Sequence, residues 1–183
     1  MRIAICDYGA GNVLSVTCAF RRLGAEVAVT ASPVDVIGAD LAVLPGVGSA
    51  GSAMSGLRAN GLDTALRERV RSARPTLGIC LGLQLALEES EEDGGVPGLG
   101  LLPGRAVRLR EGRVPRIGWA TVEPLGEDFY FAHSYAAETP AATAASEGIA
   151  AEARWGSFVG VQFHPEKSGA AGARYLERCL SHV

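Results

Sequence analysis

Apolar residues come in short runs cut by turn-forming clusters, and the runs alternate with helical patterns. Residues 2–7, RIAICD, are β-branched and apolar and end on a charge, which predicts a buried first strand. The loop YGAGN follows, and then a helical pattern over 13–23. AEVAVT at 25–30 reads as a second strand, 33–38 as a short helix or turn, and DLAVL at 40–44 as a third strand. Pro45-Gly46-Val47-Gly48-Ser49 stops that strand. Residues 62–73 are helical, with Asp63, Arg67 and Arg71 on one face. TLGI at 76–79 is the fourth strand, and LGLQLALEES at 81–90 reads as the helix after it. Strands alternating with helices predict a parallel sheet covered on both faces.

The texture changes after Ser90. A Gly/Pro-rich connector, EEDGGVPGLGLLPG, leads into strand-like pieces at 105–110, 117–124, 128–135, 141–146 and 158–163. A last helix is predicted from about 170 to 181. No internal repeat or low-complexity linker interrupts the chain. The expectation is one α/β domain over 1–183. It is a three-layer sandwich with a central, mainly parallel sheet and extra antiparallel strands in the second half.

Composition narrows the function classes. With 48% hydrophobic and 20% charged residues, the chain is an ordinary globular one. A formal charge of −3 gives no footprint for nucleic acid. No apolar run is long enough to span a bilayer, and the N-terminus lacks the apolar core of a signal peptide. A cytoplasmic enzyme is the expectation. Cys6, Cys18, Cys80 and Cys179 show no C-x-x-C spacing, which argues against zinc ribbons and thioredoxin-type chemistry. The chain has a single lysine, Lys167, among 17 basic residues, two asparagines (Asn12, Asn60) and two glutamines (Gln84, Gln162). In so skewed a background a rare residue has a raised chance of a specific task.

In an open α/β sheet, sites form beyond the carboxyl ends of the parallel strands. Three loops leave such ends here: YGAGN, PGVGS and the turn at Cys80. Cys80 lies between Gly78 and Gly82 at a strand-to-helix junction. It is either a small core hydrophobe, the usual fate of a free cysteine, or a nucleophile on a sharp turn, the sulfur counterpart of G-x-S-x-G. On the second reading the flanking glycines permit a strained turn, and the following helix supplies a positive dipole end. The Leu81 N–H is one natural oxyanion donor, and Val47-Gly48 can supply another. A thiol acting on an amide also needs a base. His182 adjoins the C-terminus, and His133, in FAHSY, has no acid nearby. His164 precedes Pro165 and Glu166. Extended backbone before proline would put Glu166 on the side of the His164 ring, where it could orient the base. The competing reading is a plain turn with a solvated glutamate. Gln84 lies four residues after Cys80, on the same helix face, and in a helix that is leucine-rich all round it needs a polar partner, for which a substrate would serve.

Together, PGVGS (45–49), GICLGLQ (78–84) and FHPEKS (163–168) resemble the class I (triad) glutamine amidotransferases. DYGAGN (7–12), EESEE (88–92), IGW (117–119) and HSY (133–135) point, within them, to glutaminase subunits that serve a separate synthase. The resemblance runs along essentially the whole chain and implies a flavodoxin-like fold. It implies hydrolysis of L-glutamine through a thioester, with Cys80 as nucleophile, His164 as base and acid, and Glu166 as orienter. His133, Ser134 and Tyr135 would help hold the glutamine. The partner implied is a (β/α)8-barrel synthase (cyclase) subunit forming a heterodimer, faced by Asn12, Trp119 and Lys167 and receiving the ammonia. No metal or cofactor is implied. The segment 136–157 is short for the family, which implies a trimmed hairpin. A phosphate-binding reading of GAGN lacks the third glycine of G-x-G-x-x-G and the lysine of a P-loop. A redox-sensing or partner-binding cysteine protein on the same fold is the alternative from another class.

Overall fold

A computed structural model describes residues 1–9 and 12–181; His182 and part of the YGAGN loop lie outside the described residues. The strands are β1 (Arg2–Cys6), β2 (Glu26–Thr30), β3 (Leu41–Leu44), β4 (Thr76–Ile79), β5 (Glu89–Ser90), β6 (Val96–Pro97), β7 (Arg105–Arg108), β8 (Arg116–Val122), β9 (Glu127–His133), β10 (Tyr135–Glu138), β11 (Ala142–Ser146), β12 (Ile149–Trp155) and β13 (Phe158–Val161). The helices are α1 (Val13–Arg22), α2 (Pro33–Gly38), α3 (Ala50–Ala59), α4 (Leu62–Arg71), α5 (Leu81–Ala86) and α6 (Gly169–Leu180).

A seven-stranded sheet in the order β11-β12-β13-β4-β3-β1-β2 forms the middle layer. Five neighbours, from β13 to β2, are parallel; β12 and β11 are antiparallel additions at one edge. Alternation along the strands splits the core. Ile3, Ile5 and Val43 face α1, α6 and the β8–β9 ribbon, while Ala4, Cys6 and Leu44 face α2 to α5. A cluster of Phe129, Phe131, Phe163 and Tyr175 seats the ribbon on the first face, with Phe129 stacked on Phe163 at 4.1 Å. Each such ring contributes about 1.5–3 kcal/mol by burial. The three-layer α/β architecture expected from the periodicity is therefore present.

Several elements differ from the expectation. The helix after Cys80 stops at Ala86, and Leu87 is extended. The Gly/Pro-rich connector wraps over its end: the N–H groups of Leu99, Leu101 and Gly100 bond the carbonyls of Leu85, Ala86 and Leu87. Those bonds take the place of further helical turns, and Glu89–Ser90 joins a small sheet with β6, β7 and β10. Helix α3 was not expected, because Gly51 and Gly56 dilute its pattern. Gly56 is required there, since a Cβ would lie 2.2 Å from the Tyr8 carbonyl oxygen. Strand β12 likewise adds a partner to β11. The pair closes through Glu147 (φ 51°) and Gly148 (φ 78°), the short two-residue turn suited to a trimmed hairpin.

Arg69 in α4 is fully buried, and among the described residues no carboxylate forms an ion pair with it. Its guanidinium bonds the carbonyls of Val36, Ile37, Ala39, Asp40 and Pro75. It thereby joins the end of α2 to the starts of β3 and β4, at the end of the sheet away from Cys80.

Candidate active site

Cys80 sits where β4 turns into α5, with φ 53° and ψ −105°. That conformation is costly for a side-chain-bearing residue, and it turns the sulfur out beyond the sheet. The strain is on Cys80 itself. Gly78 and Gly82 are present for another reason than the expected freedom of turning: neither has a left-handed φ, and both are closely packed. A Cβ on Gly82 would lie 2.0 Å from the Leu44 carbonyl oxygen, and one on Gly78 would lie 2.7 Å from the Phe158 ring. A Cβ on Gly46 of the PGVGS loop would likewise lie 2.4 Å from Leu81 Cβ and 2.6 Å from the Gly82 nitrogen. The Cys80 N–H is tied to the Val161 carbonyl at 2.7 Å.

His164 follows β13 and is buried. Its N–H bonds the Tyr130 carbonyl at 2.8 Å, and the Ser168 hydroxyl donates to the His164 carbonyl (2.6 Å) while accepting from the Tyr130 N–H (3.0 Å). His164 is extended, as expected before proline, but residues 165–167 form a 3-10 turn. The turn, rather than continued extension, folds Glu166 back so that His164 Nδ1 and Glu166 Oε1 lie 2.8 Å apart. Burial pushes the imidazolium down, but hydrogen bonds with Cys80 and Glu166, and their charges, carry it up to about 9. His164 thus responds to both Cys80 and Glu166, and the Cys80 thiol points at the Ala132 carbonyl, 3.9 Å away.

The other cysteines are set apart. Burial raises the Cys6 thiol to about 12 and the Cys179 thiol to about 11. Cys18 lies on α1, and all four cysteines are free.

A cleft of about 310 Å³ opens over Cys80. Val47, Gly48, Leu81, Gln84, His133 and Ser134 line it, together with Glu92, Pro115, Ile117 and Ala132. A wider hollow of about 940 Å³ beside β7 and β8, lined by arginines, glutamates and small apolar residues, has no cysteine or histidine in its wall. Tyr135 is not part of the cleft wall; its carbonyl accepts from His133 Nδ1 at 2.9 Å and from Gln84 Nε2 at 2.7 Å. Gln84 also donates to Gln162 Oε1 at 3.1 Å, so its amide N–H groups find their partners within the protein rather than in a substrate. Burial holds the His133 ring down to about 4, hence neutral, and its Nε2 has no hydrogen-bond partner among the described residues. Glu92 and Asp93 were not singled out individually. Glu92 caps the Ala50 N–H at 2.8 Å and Asp93 caps the Gly51 N–H at 2.9 Å, and Glu92 reaches the cleft.

Asn12 caps α1 through the Ser15 N–H at 3.4 Å. Trp119 is 58% exposed and meets Tyr130 edge-on at 6.0 Å. The Lys167 ammonium stands 5.9 Å from the centre of the same Tyr130 ring. Trp119 and Lys167 therefore share one exposed face. Among the described residues, no group of His, Cys, Asp and Glu side chains is placed to hold a metal ion. No helix among them is long and apolar enough to cross a membrane.

A buried cysteine on a strained strand-to-helix turn, paired with a His–Glu couple at the carboxyl end of a parallel sheet, is the arrangement of a triad-type thiol amidohydrolase. A sequence profile described as "Glutamine amidotransferase class-I" matches residues 4–183, and the chain belongs to that family. An imidazole glycerol phosphate synthase subunit HisH from Symbiobacterium thermophilum is 47% identical, over 96% of this chain and 91% of its own. The HisH of Methanothermobacter thermautotrophicus is 45% identical, over 99% of this chain and 98% of its own. Within the family, the chain belongs with these HisH subunits. A solved glutamine amidotransferase superimposes with a TM-score of 0.83 at 21% identity, covering 98% of this chain and 97% of that one, a likeness of fold.

Proposed function

We propose that this protein is the glutaminase subunit of imidazole glycerol phosphate synthase. It hydrolyses L-glutamine to glutamate and ammonia and supplies the ammonia to a (β/α)8-barrel cyclase subunit in histidine biosynthesis, in the cytoplasm. The observation that carries the reading is the strained Cys80 turn joined to His164 and Glu166.

The chemistry follows from the geometry. His164 takes the Cys80 proton, and the sulfur attacks the side-chain amide carbon of glutamine. The carbonyl oxygen becomes an oxyanion, which the Leu81 N–H and the amides of Val47 and Gly48 would face. His164, oriented by Glu166, returns the proton to the amide nitrogen. The C–N bond breaks, ammonia leaves, and a thioester remains. Water then loses a proton to His164 and attacks the thioester; glutamate departs and the thiol is restored. His133 and Ser134 would border the glutamine. In the cleft wall, the Glu92 carboxylate is suited to the α-ammonium.

The exposed face bearing Trp119 and Lys167, with Asn12 at the neighbouring end of α1, would meet the cyclase subunit. Glutamate release measured with and without that subunit, in parallel with imidazole glycerol phosphate formation, tests the proposal. Glutamine turnover that never yields product in the complex would refute it. An alternative glutaminase, serving another synthase, would show turnover stimulated only by that other partner.

A further inference from the structure

The chain has two glutamines, and they are bonded to each other inside the core. Gln84 Nε2 donates to the Tyr135 carbonyl at 2.7 Å and to Gln162 Oε1 at 3.1 Å. At its other end, Gln162 Nε2 lies 3.6 Å from Cys80 Sγ. Gln162 is fully buried at the end of β13, the strand whose Val161 carbonyl already holds the Cys80 N–H.

The polarity of this chain is forced. A peptide carbonyl only accepts, so the Gln84 atom facing Tyr135 must be its NH2 group. The second N–H of that group then faces Gln162, whose near atom must be the oxygen. The far end of the Gln162 amide, at the sulfur, is therefore an N–H donor. The Tyr135 carbonyl fixes His133 by the same logic, since Nδ1 must carry the proton there.

A donor aimed at sulfur stabilises thiolate over thiol, and hydrogen bonds to charged groups in a water-poor interior are the strong ones. His164 is a cationic neighbour of the same sulfur, whose other close contact is the Ala132 carbonyl at 3.9 Å. We propose that Gln162 is a positioning residue for Cys80. Its amide N–H fixes the sulfur's position and favours the thiolate once His164 has taken the proton, while Gln84 and the Tyr135 carbonyl dictate which end of the amide is presented. This rests on Cys80 being the nucleophile.

The test is the rate of Cys80 alkylation by iodoacetamide between pH 5 and 9.5, read site by site by mass spectrometry. The proteins are the full chain, Gln162→Met, Gln162→Glu, Gln84→Met and the double Met variant, each checked by circular dichroism and thermal unfolding. Gln162→Met keeps the bulk and removes the donor. It should move the rate–pH profile up by about one unit and slow neutral-pH labelling by up to about tenfold. Gln162→Glu, which sets a carboxylate against the sulfur, should move it further. Gln84→Met frees the Gln162 amide and should move the profile in the same direction, and the double variant should be no worse than Gln162→Met alone.

Superimposable profiles for folded Gln162→Met and the parent overturn the proposal, as do additive effects in the double variant. If Gln162→Met does not fold, an unchanged profile in Gln84→Met overturns it equally. Should Cys80 of the parent label no faster than Cys18, the nucleophile assignment itself fails, a result distinct from the first.

Discussion

His164 Nδ1 faces Glu166 Oε1 at 2.8 Å, held there by a single 3-10 turn that starts at Pro165. The pair acts as one unit, but its members contribute unequally. His164→Ala should lower kcat for glutamine hydrolysis by roughly 10⁴-fold or more, and Glu166→Gln should be about 100-fold less severe. Steady-state glutamate release in the complex measures both. Intact turnover in His164→Ala would remove the histidine from the mechanism.

Cys80→Ala should abolish glutamine-dependent product formation by the complex while sparing synthesis driven by added ammonium salts. Cys80 only makes ammonia; the cyclase consumes it. Simultaneous loss of both activities would instead place Cys80 in assembly or folding.

The two described histidines should shape stability in opposite pH ranges. His133 is held near 4 in the folded state by burial, against about 6.5 in an unfolded chain. Its stabilising contribution is present above 6.5 and is lost as pH falls through 4. His164 is raised to about 9 against the cost of burial, through Cys80 and Glu166. Its contribution is complete below about 6.5 and disappears as pH rises through 9. At about 1.4 kcal/mol per unit, each amounts to a few kcal/mol. Urea midpoints from pH 4 to 9.5 should show the acid limb flattened by His133→Asn and the alkaline limb by His164→Asn.

Glu92→Gln should raise KM for glutamine at least tenfold with a smaller change in kcat, because the α-ammonium loses its counter-charge in both ground and transition states. The same change weakens the cap on Ala50, and Asp93→Asn serves as the control. It weakens only the neighbouring cap on Gly51, worth about 1 kcal/mol, and should leave KM unaltered. Equal KM in both variants would exclude Glu92 from binding.

Lys167→Ala should leave the isolated subunit folded but let glutamate production outrun imidazole product. Lys167 is exposed, stands over Tyr130 and follows directly on the His-Pro-Glu turn. A charge pair desolvated at the interface outweighs one in open water. Parallel assay of the two products during titration with the cyclase is the check, and matched production would dismiss the role.

The parallel sheet was legible because β1, β3 and β4 are short apolar runs, each closed by a turn signal. The three proposed catalytic side chains stood out because nucleophile, base and acid have distinctive chemistry at loop positions. What escaped notice depended on tertiary partners. Arg69 looks like any helix-surface arginine, and only the carbonyls gathered around it account for its burial. Helix α5 ends early because a remote connector takes over its carbonyls. Gln162 was visible only as a scarce residue type, since nothing in the linear order joins it to Cys80.

The glycine contacts between the PGVGS loop and the Cys80 turn give the cleft its dimensions. Gly46 rests on Leu81 and Gly82, and Gly82 rests on Leu44, at distances that leave no room for one further carbon. The separation between the sulfur and the loop amides is thus fixed by hydrogen atoms standing where side chains would otherwise be. A methyl group at either position would act as a wedge and lift the two loops apart without touching any reactive group. The gauge of this site is written in missing atoms, and two residues with no chemistry of their own govern where the chemistry can occur.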